Sequence, residues 1–288
     1  QAYKQFCQHF LAPVALMGYC DIRLNELMRN HIDGIPLDFA HKLLPFRTKL
    51  KFGILLHIHF HASAQKKYDS NSVKVSEIKQ NFSENSFNFL INSLRKTIER
   101  VSWTPKATEW GDYYEPGVHV AQYTEHKKHL VNEYVEQVKP TITWDLGSNI
   151  GIFSRIAANE SRAVVAFDID PSCVENNYLE VKAKKEQNIL PILLDLTNPS
   201  PSLGWANQER KSLNDRGPVD LVMALALVHH LAISNNLPFD RIARYFCRLA
   251  KWLIIEFVPK EDDKVQNMLK NRNDIFDQYL IDDFEKAF

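Results

Sequence analysis

The segment from Trp144 to Ser154, near the middle of the chain, limits how the chain can fold more than any other segment. Residues 141–144 are β-branched or aromatic, which predicts a strand. Asp145-Leu146-Gly147 ends that strand, and apolar residues with a helical period begin at Ile150. A strand that turns through glycine into a helix presents free backbone N–H groups and a positive helix end to a ligand. The segment therefore predicts a ligand site at the end of a strand.

Further apolar segments follow in the order that an α/β sheet requires. They are residues 163–167, 189–194, 219–225 and 252–258. A continuous apolar run is typical of a strand that is buried on both faces of a parallel sheet. Strands that alternate with helical segments predict a doubly wound, mostly parallel sheet with ligands at the carboxyl ends of its strands.

Acidic residues stand at the ends of the second and third of these strands. Asp168 follows the glycine turn by about 20 residues, where a carboxylate can accept hydrogen bonds from both hydroxyls of a ribose. Asp170 directly precedes Pro171 and is the better candidate for the cap of the next helix. Asp195 follows the third strand, but the run Asp-Leu-Thr-Asn-Pro also favours a turn. We therefore prefer ligand binding for Asp168 and leave both roles open for Asp195.

These features together resemble the class I S-adenosylmethionine-dependent methyltransferases, over roughly residues 110–288. The pattern D-x-G-x-x-x-G is similar to the first motif of that family, in the variant with Asn149 at the usual middle glycine. The resemblance implies a Rossmann-like fold and S-adenosylmethionine as cofactor, with Asp168 on the ribose and Asp195 and Leu196 at the adenine. The cofactor-binding residues that it implies are Asp145, Gly147, Ser148, Asn149, Gly151, Asp168, Ile169, Asp195, Leu196 and Ala224.

Two longer phrases are similar to a bacterial subgroup that carries a methyltransferase domain at its C-terminus. They are residues 10–17 (FLAPVALM) and residues 225–232 (LALVHHLA). The subgroup implies no particular substrate.

The resemblance also places the methyl-acceptor site before the glycine turn and at the ends of the fourth and fifth strands. The residues there are Tyr114, Tyr123 and Lys127 as substrate-binding candidates, and His229, His230 and Glu256 as catalytic candidates. An imidazole can act as a general base near neutral pH, or it can simply pack or cap the following helix. An unpaired buried carboxylate is costly, so Glu256 is either paired or meets the substrate. Lys127 could equally lie on a solvated helix face.

The remaining alternatives differ in function class. A dinucleotide site requires a second glycine where Asn149 stands, so an NAD(P)-dependent oxidoreductase is less favoured. A non-catalytic S-adenosylmethionine-binding or interaction module is the second alternative. Formal charge is zero, with 35 basic and 35 acidic residues, which makes nucleic acid an unlikely partner. We therefore expect a small molecule or a protein side chain as substrate.

Composition predicts a cytoplasmic protein without a metal or a membrane partner. The four cysteines form no C-x-x-C pair, which favours a reducing compartment. No apolar run reaches the ~18 residues of a membrane span, and no signal peptide is visible. His57, His59 and His61 alternate and would share one face of a strand, but their neighbours favour a helix, on which they would splay apart.

The chain divides by composition into three parts. We expect an N-terminal helical region at 1–68, which is a fragment of a longer domain, and a polar linker with an amphipathic helix at 69–109. The methyltransferase domain takes 110–288 and lacks the last strands of the family sheet, because residues 262–272 predict a helix instead. Since the chain begins at Gln1, we expect it to be a piece of a longer protein.

Overall fold

The chain forms two compact units, Gln1–Thr104 and Pro105–Phe288. A computed structural model describes residues 2–64, 83–105, 118–270 and 272–288. The amphipathic helix that the sequence predicted beside a linker belongs to the first unit. Its Leu94 is buried in the core of that unit, which is why the boundary lies after the helix.

The first unit is built from helices, which confirms the predicted helical region. They are α1 (Ala2–Phe6), α2 (Ala12–Tyr19), α3 (Leu27–Asn30), α4 (Leu37–Leu43), α5 (Phe52–Ile54) and α6 (Glu84–Glu99), with π-helical turns at Cys7–Leu11 and Leu55–Phe60 and 3-10 helices at Ile22–Glu26 and Phe46–Leu50. Leu11, Leu16, Ile35 and Ile58 are completely buried in its core. Burial of these side chains holds the short helices together, since helices of this length are marginal alone.

The second unit contains a five-stranded sheet with the order β3-β2-β1-β4-β5. The strands are β1 (Ile142–Leu146), β2 (Ala163–Asp168), β3 (Ile189–Leu193), β4 (Val219–Ala224) and β5 (Ala250–Ile255). Every pairing between neighbours is parallel. The predicted doubly wound, Rossmann-like parallel sheet is therefore confirmed, and all five carboxyl strand ends lie along one edge.

Helices flank this sheet. They are α7 (Val118–Val138), α8 (Ile152–Ala158), α9 (Pro171–Lys184), α10 (Phe239–Leu249), α11 (Asp263–Leu269) and α12 (Ile281–Ala287), with a π-helical segment at His230–Ser234 after β4 and 3-10 helices at Trp205–Asn207 and Asn214–Arg216 between β3 and β4. Asp170 caps α9 as predicted, because its Oδ1 accepts from the Ser172 N–H at 2.7 Å.

The two faces of the sheet bury separate apolar clusters. Side chains alternate along each strand, so Trp144 and Leu146 pack with α10 and α12 on one face. Asp145 points to the opposite face, where Ser154 of α8 contacts it. The carboxylate at the start of the glycine turn thus lies under a helix.

Residues 256–270 and 272–288 hold α11 and α12 and no strand. Within the described residues, β5 is therefore an edge strand of the sheet. None of the helices described is both long enough and apolar enough to cross a membrane.

Candidate functional site

A cavity of about 240 Å³ opens at the carboxyl ends of β1, β2, β3 and β4. It gathers predicted site residues that come from distant parts of the sequence. Those that line it are Gly147, Asn149, Asp168, Ile169, Asp195, Leu196 and His230. The glycine turn and the acids at the ends of the second and third strands therefore meet at one place.

The turn after β1 takes three residues through the left-handed region. Gly147, Asn149 and Gly151 have φ values of 77°, 51° and 81°. The N–H groups of Gly147 and Ser148 both donate to the Phe167 carbonyl at 2.9 Å, which ties the turn to the end of β2. These dihedrals favour glycine, and asparagine tolerates them better than most other residues.

The two glycines of the turn have different surroundings. A Cβ on Gly147 would find Leu227 Cδ1 at 3.4 Å as its nearest neighbour, and Gly147 lines the cavity. A Cβ on Gly151 would lie 2.4 Å from Oδ1 of Asn177, a completely buried residue. Gly147 therefore lets backbone approach a ligand, whereas Gly151 serves the packing of α8 against α9.

Backbone N–H groups fix the orientation of the Asp168 carboxylate. Its Oδ2 accepts from Asn149 at 2.7 Å, and its Oδ1 accepts from Asp170 at 2.8 Å. Burial raises the pKa of Asp168, while these two hydrogen bonds lower it. Because each carboxylate oxygen can accept more than one hydrogen bond, both oxygens keep capacity for a diol.

Asp195 takes the turn role that its sequence context predicted and also lies in the cavity wall. Its Oδ1 accepts from the N–H and the hydroxyl of Thr197, at 2.8 and 2.6 Å. Leu196 follows it in the same wall. The hydrogen bonds show the turn, and contact with an adenine ring stays a prediction.

Four of the predicted cofactor residues lie outside the lining of the cavity: Asp145, Ser148, Gly151 and Ala224. Asp145 is 2% exposed and its Oδ2 accepts from the Ser154 hydroxyl at 2.6 Å. Burial raises its pKa to about 6. Ala224 is completely buried, and its carbonyl accepts from the Glu256 N–H at 3.2 Å. These four residues therefore support the turn and the end of β4 without lining the cavity.

The chemistry of the cavity fits the adenosine part of S-adenosylmethionine. Apolar walls from Phe167, Leu194 and Leu231 suit a flat aromatic base, and Asp168 supplies an oriented carboxylate for a ribose. Ligand sites of about 300–1,000 Å³ usually combine apolar walls with a few placed polar groups. At about 240 Å³ the cavity is smaller than that range, so it has room for part of such a ligand.

Glu256 lies just after β5 and is paired, which is one of the two roles that the sequence predicted for it. Its Oε1 accepts from the Tyr123 hydroxyl at 2.6 Å. Its Oε2 accepts from Lys127 Nζ at 2.7 Å and from the Ala226 N–H at 2.6 Å. The Lys127 and Glu256 side chains are only 14% and 16% exposed, so Lys127 does not lie on a solvated face. Tyr123 and Lys127, the two substrate-binding candidates on α7, thus both donate hydrogen bonds to Glu256, the catalytic candidate after β5.

His229 and His230 pack ring to ring after β4, with centroids 4.2 Å apart. His229 is 2% exposed, and its Nδ1 has no hydrogen-bond partner among the described residues. Burial lowers the pKa of His229 to about 3 and that of His230 to about 4. Both imidazoles are therefore neutral at pH 7. His230 lines the cavity and is the better placed of the two histidines.

Lys264 in the first turn of α11 was missed by sequence reasoning. Its positive charge helps to lower the pKa of both His229 and His230. Burial lowers the pKa of Lys264 itself, while Glu256 acts to raise it. No motif marks this lysine, and only its position in a helix after the fifth strand hinted at the site.

The other candidates from the sequence lie elsewhere. Tyr114 is outside the described residues. His57 and His59 are buried in the first unit with different partners. His57 contacts Tyr3 and Ser93, and His59 contacts Thr48 and His41. In the described part of the chain, no group of three potential ligands is arranged to hold a metal ion.

Comparison with known proteins gives one curated relative and many weak structural matches. No protein-family model matches the chain. The nodulation protein NoeA of Rhizobium meliloti (strain 1021) is 34% identical over 290 residues, which cover 99% of this chain. The chain spans 60% of the length of that relative.

Three of the solved structures that match are 15–16% identical to the chain. YcgJ from Bacillus subtilis covers 50% of this chain and 55% of its own, with a TM-score of 0.34. The match to monomeric WbdD covers 60% of this chain and 39% of the WbdD chain, with a TM-score of 0.37. The match to a SAM-dependent methyltransferase from Aquifex aeolicus covers 46% of this chain and 65% of that protein's chain, with a TM-score of 0.31. The assignment of the fold rests on the strand order and the turn of this chain.

Proposed function

From the class I methyltransferase fold of the second unit, we propose that the chain binds S-adenosylmethionine and transfers its methyl group. The acceptor that we propose is a small molecule or a protein side chain. One observation carries the proposal. The Asp168 carboxylate, oriented by two backbone N–H groups, faces the same apolar cavity as the glycine turn.

The residues divide the work between binding and positioning. Asp168 would accept hydrogen bonds from the ribose hydroxyls, Leu196 and the apolar wall would hold the adenine, and Gly147 would let the backbone come close to the cofactor. When bound, the sulfonium supplies an activated methyl group. The chain then has to hold the acceptor in line and exclude water.

His230 is the group that we propose for moving a proton. It is neutral at pH 7 and lies at the cavity, so it can accept a proton from the acceptor atom. Its low pKa makes it a weak base, which suits an acceptor that releases its proton during transfer. Tyr123, Lys127 and Glu256 form the frame of the acceptor side.

Calorimetric titration tests the cofactor assignment. We expect the full chain to bind S-adenosylmethionine and S-adenosylhomocysteine, and not NAD⁺. Asp168→Asn removes a charged acceptor and should weaken binding about 10- to 100-fold, since hydrogen bonds to charged groups contribute about 1.5–3 kcal/mol. Asp282→Asn, at an exposed position of α12, is the matched control and should bind like wild type. Unchanged affinity in Asp168→Asn would contradict the assignment.

Methyl transfer needs a separate measurement. Labelled S-adenosylmethionine is added with the chain to a cell lysate, and the label is sorted into small molecules and proteins. Label that appears only with active chain supports an enzyme and names the acceptor class. Cofactor binding with no transfer in any fraction would favour the non-catalytic module.

A further inference from the structure

The first unit exposes large apolar side chains within one short segment. Phe46, Leu50 and Phe52 are 74%, 81% and 67% exposed, whereas the polar Thr48 between them is completely buried. Single exposed apolar residues are normal on a protein surface. Three within seven residues form a patch that indicates an interaction site.

Cations alternate with these apolar residues. Arg47, Lys49 and Lys51 lie between or beside them, and residues 39–64 contain no Asp or Glu. Lys49 Nζ lies 5.2 Å from the centre of the Phe46 ring. No ion pair formed by described residues includes any of these three cations. Their charge is therefore available to an anionic partner.

Helix α6 extends this patch. A groove of about 390 Å³ joins Leu50, Lys51 and Phe52 to residues of that helix, and no acidic residue lines it. Phe89 in the groove is 66% exposed, and Lys96 and Arg100 lie along it. We call the segment 46–52 together with this groove the basic aromatic surface.

The neutral charge of the whole chain conceals a division between its units. Residues 1–104 carry 14 Lys and Arg against 8 Asp and Glu, and residues 105–288 carry 21 against 27. Charge asymmetry of this kind suggests a nucleic-acid or membrane partner for the basic part. The aliphatic Leu50 favours a membrane, because nucleic acid offers bases that stack on aromatic rings but no medium that buries a leucine side chain.

We propose that the basic aromatic surface binds the face of an anionic lipid bilayer. Phe46, Leu50 and Phe52 enter the acyl boundary, and the cations beside them meet lipid phosphates. Surface-bound segments with basic residues around apolar side chains bind anionic membranes in this way. Because three such side chains lie in one short segment, a partner that surrounds them, as fluid acyl chains do, covers them best. The sequence had predicted no membrane partner from the lack of a span, but surface binding requires none.

Sedimentation with vesicles tests the proposal on the full chain. We expect binding to phosphatidylcholine vesicles that contain phosphatidylserine, little binding to phosphatidylcholine alone, and loss of binding in high salt. The triple variant Phe46→Ser/Leu50→Ser/Phe52→Ser should bind at least about tenfold more weakly, because it removes the apolar insertion. Lys49→Gln/Lys51→Gln should reduce the preference for phosphatidylserine.

The matched control carries Trp205→Ser and Ile275→Ser. These residues are 85% and 68% exposed in the second unit, so the control removes exposed apolar area elsewhere. It should bind vesicles like wild type. Equal losses in control and triple variant, or no sedimentation with anionic vesicles, would overturn the proposal.

Insertion can be measured without destroying the surface. Phe52→Trp adds a sixth tryptophan, in the apolar tip, and brominated acyl chains should quench the emission that it adds to that of the five native tryptophans when anionic vesicles are present. Emission that stays unquenched would overturn insertion. So would concentration-dependent dimerisation that the triple variant abolishes while vesicle binding is absent.

Discussion

A single carboxylate, that of Glu256, joins three elements of the second unit. It follows β5, accepts from Tyr123 and Lys127 on α7, and accepts from the Ala226 N–H after β4. Ala226 itself has φ 48°, which is unfavourable for a residue with a Cβ. The hydrogen bond to Glu256 holds that backbone in place at the edge of the cavity.

We predict a measurable coupling between Glu256 and Lys127. A double-mutant cycle with Glu256→Gln and Lys127→Gln should give about 1–3 kcal/mol in urea unfolding, because the pair is largely buried and breaking one partner leaves the other charge uncompensated. The Glu125–Lys128 pair on the same helix is the control. Its side chains are 72% and 35% exposed, and its coupling should be about 0–0.5 kcal/mol. Equal coupling in the two pairs would contradict the prediction.

Sequence reasoning found the candidate residues of this cluster but not how they pair. The end of the fifth strand predicted Glu256, and the segment before the glycine turn predicted Tyr123 and Lys127. Lys127 lies 129 positions away from its partner, so only the packing of α7 against the sheet brings them together. Lys264 was missed for the same reason, since no local pattern records which helix residue faces the site.

At the scale of elements, the two glycines of the turn between β1 and α8 have different roles. Gly151→Ala should lower the free energy of unfolding by about 2–4 kcal/mol, because the new Cβ meets the buried Asn177 at a strained φ. Urea unfolding measures this.

Gly147→Ala serves as the comparison in the same turn. Its φ is equally positive, but the added Cβ has room, so the expected loss of stability is about 1 kcal/mol. Calorimetry should instead show weaker binding of S-adenosylmethionine, since the Cβ faces the cavity. A larger loss of stability for Gly147→Ala than for Gly151→Ala would contradict both assignments.

The strands were predictable and the irregular helices were not. Buried parallel strands are continuous apolar runs with polar ends, so the sequence pattern predicted strands at residues 163–167 and 219–225. The π-helical segments Leu55–Phe60 and His230–Ser234 have no periodic signature that separates them from an α-helix. The sequence pattern therefore does not predict these segments, nor the burial of His57 in the first and of His229 just before the second.

At the scale of the whole molecule, acid should weaken the first unit more than the second. Burial lowers the pKa of His57 and His61, and that of His59 to about 4. Such a group binds fewer protons folded than unfolded below its ordinary value of 6.5, so stability is lost as pH falls from about 6.5 to 4. Burial of His229 and His230 has the same effect in the second unit.

Asp145 acts in the opposite direction in the second unit. Its pKa is raised to about 6, so it binds more protons folded than unfolded and adds stability as pH falls from about 6 to 4. Thermal unfolding of the full chain at pH 7 and pH 4.5 should therefore show a larger drop for the first unit. Ile58→Ala, in the core of that unit, identifies its transition. An equal drop in both transitions would contradict the prediction.

The carboxylate of Asp168 has a consequence that reaches beyond contact geometry. Because the main chain of Asn149 and Asp170 already restrains both oxygens, its rotational entropy is lost when the domain folds and not when a ligand arrives. The site is preorganised in this sense, which lowers the entropic cost of association. Ligand affinity and the stability of the turn are therefore linked, and a change that loosens the turn will lower both.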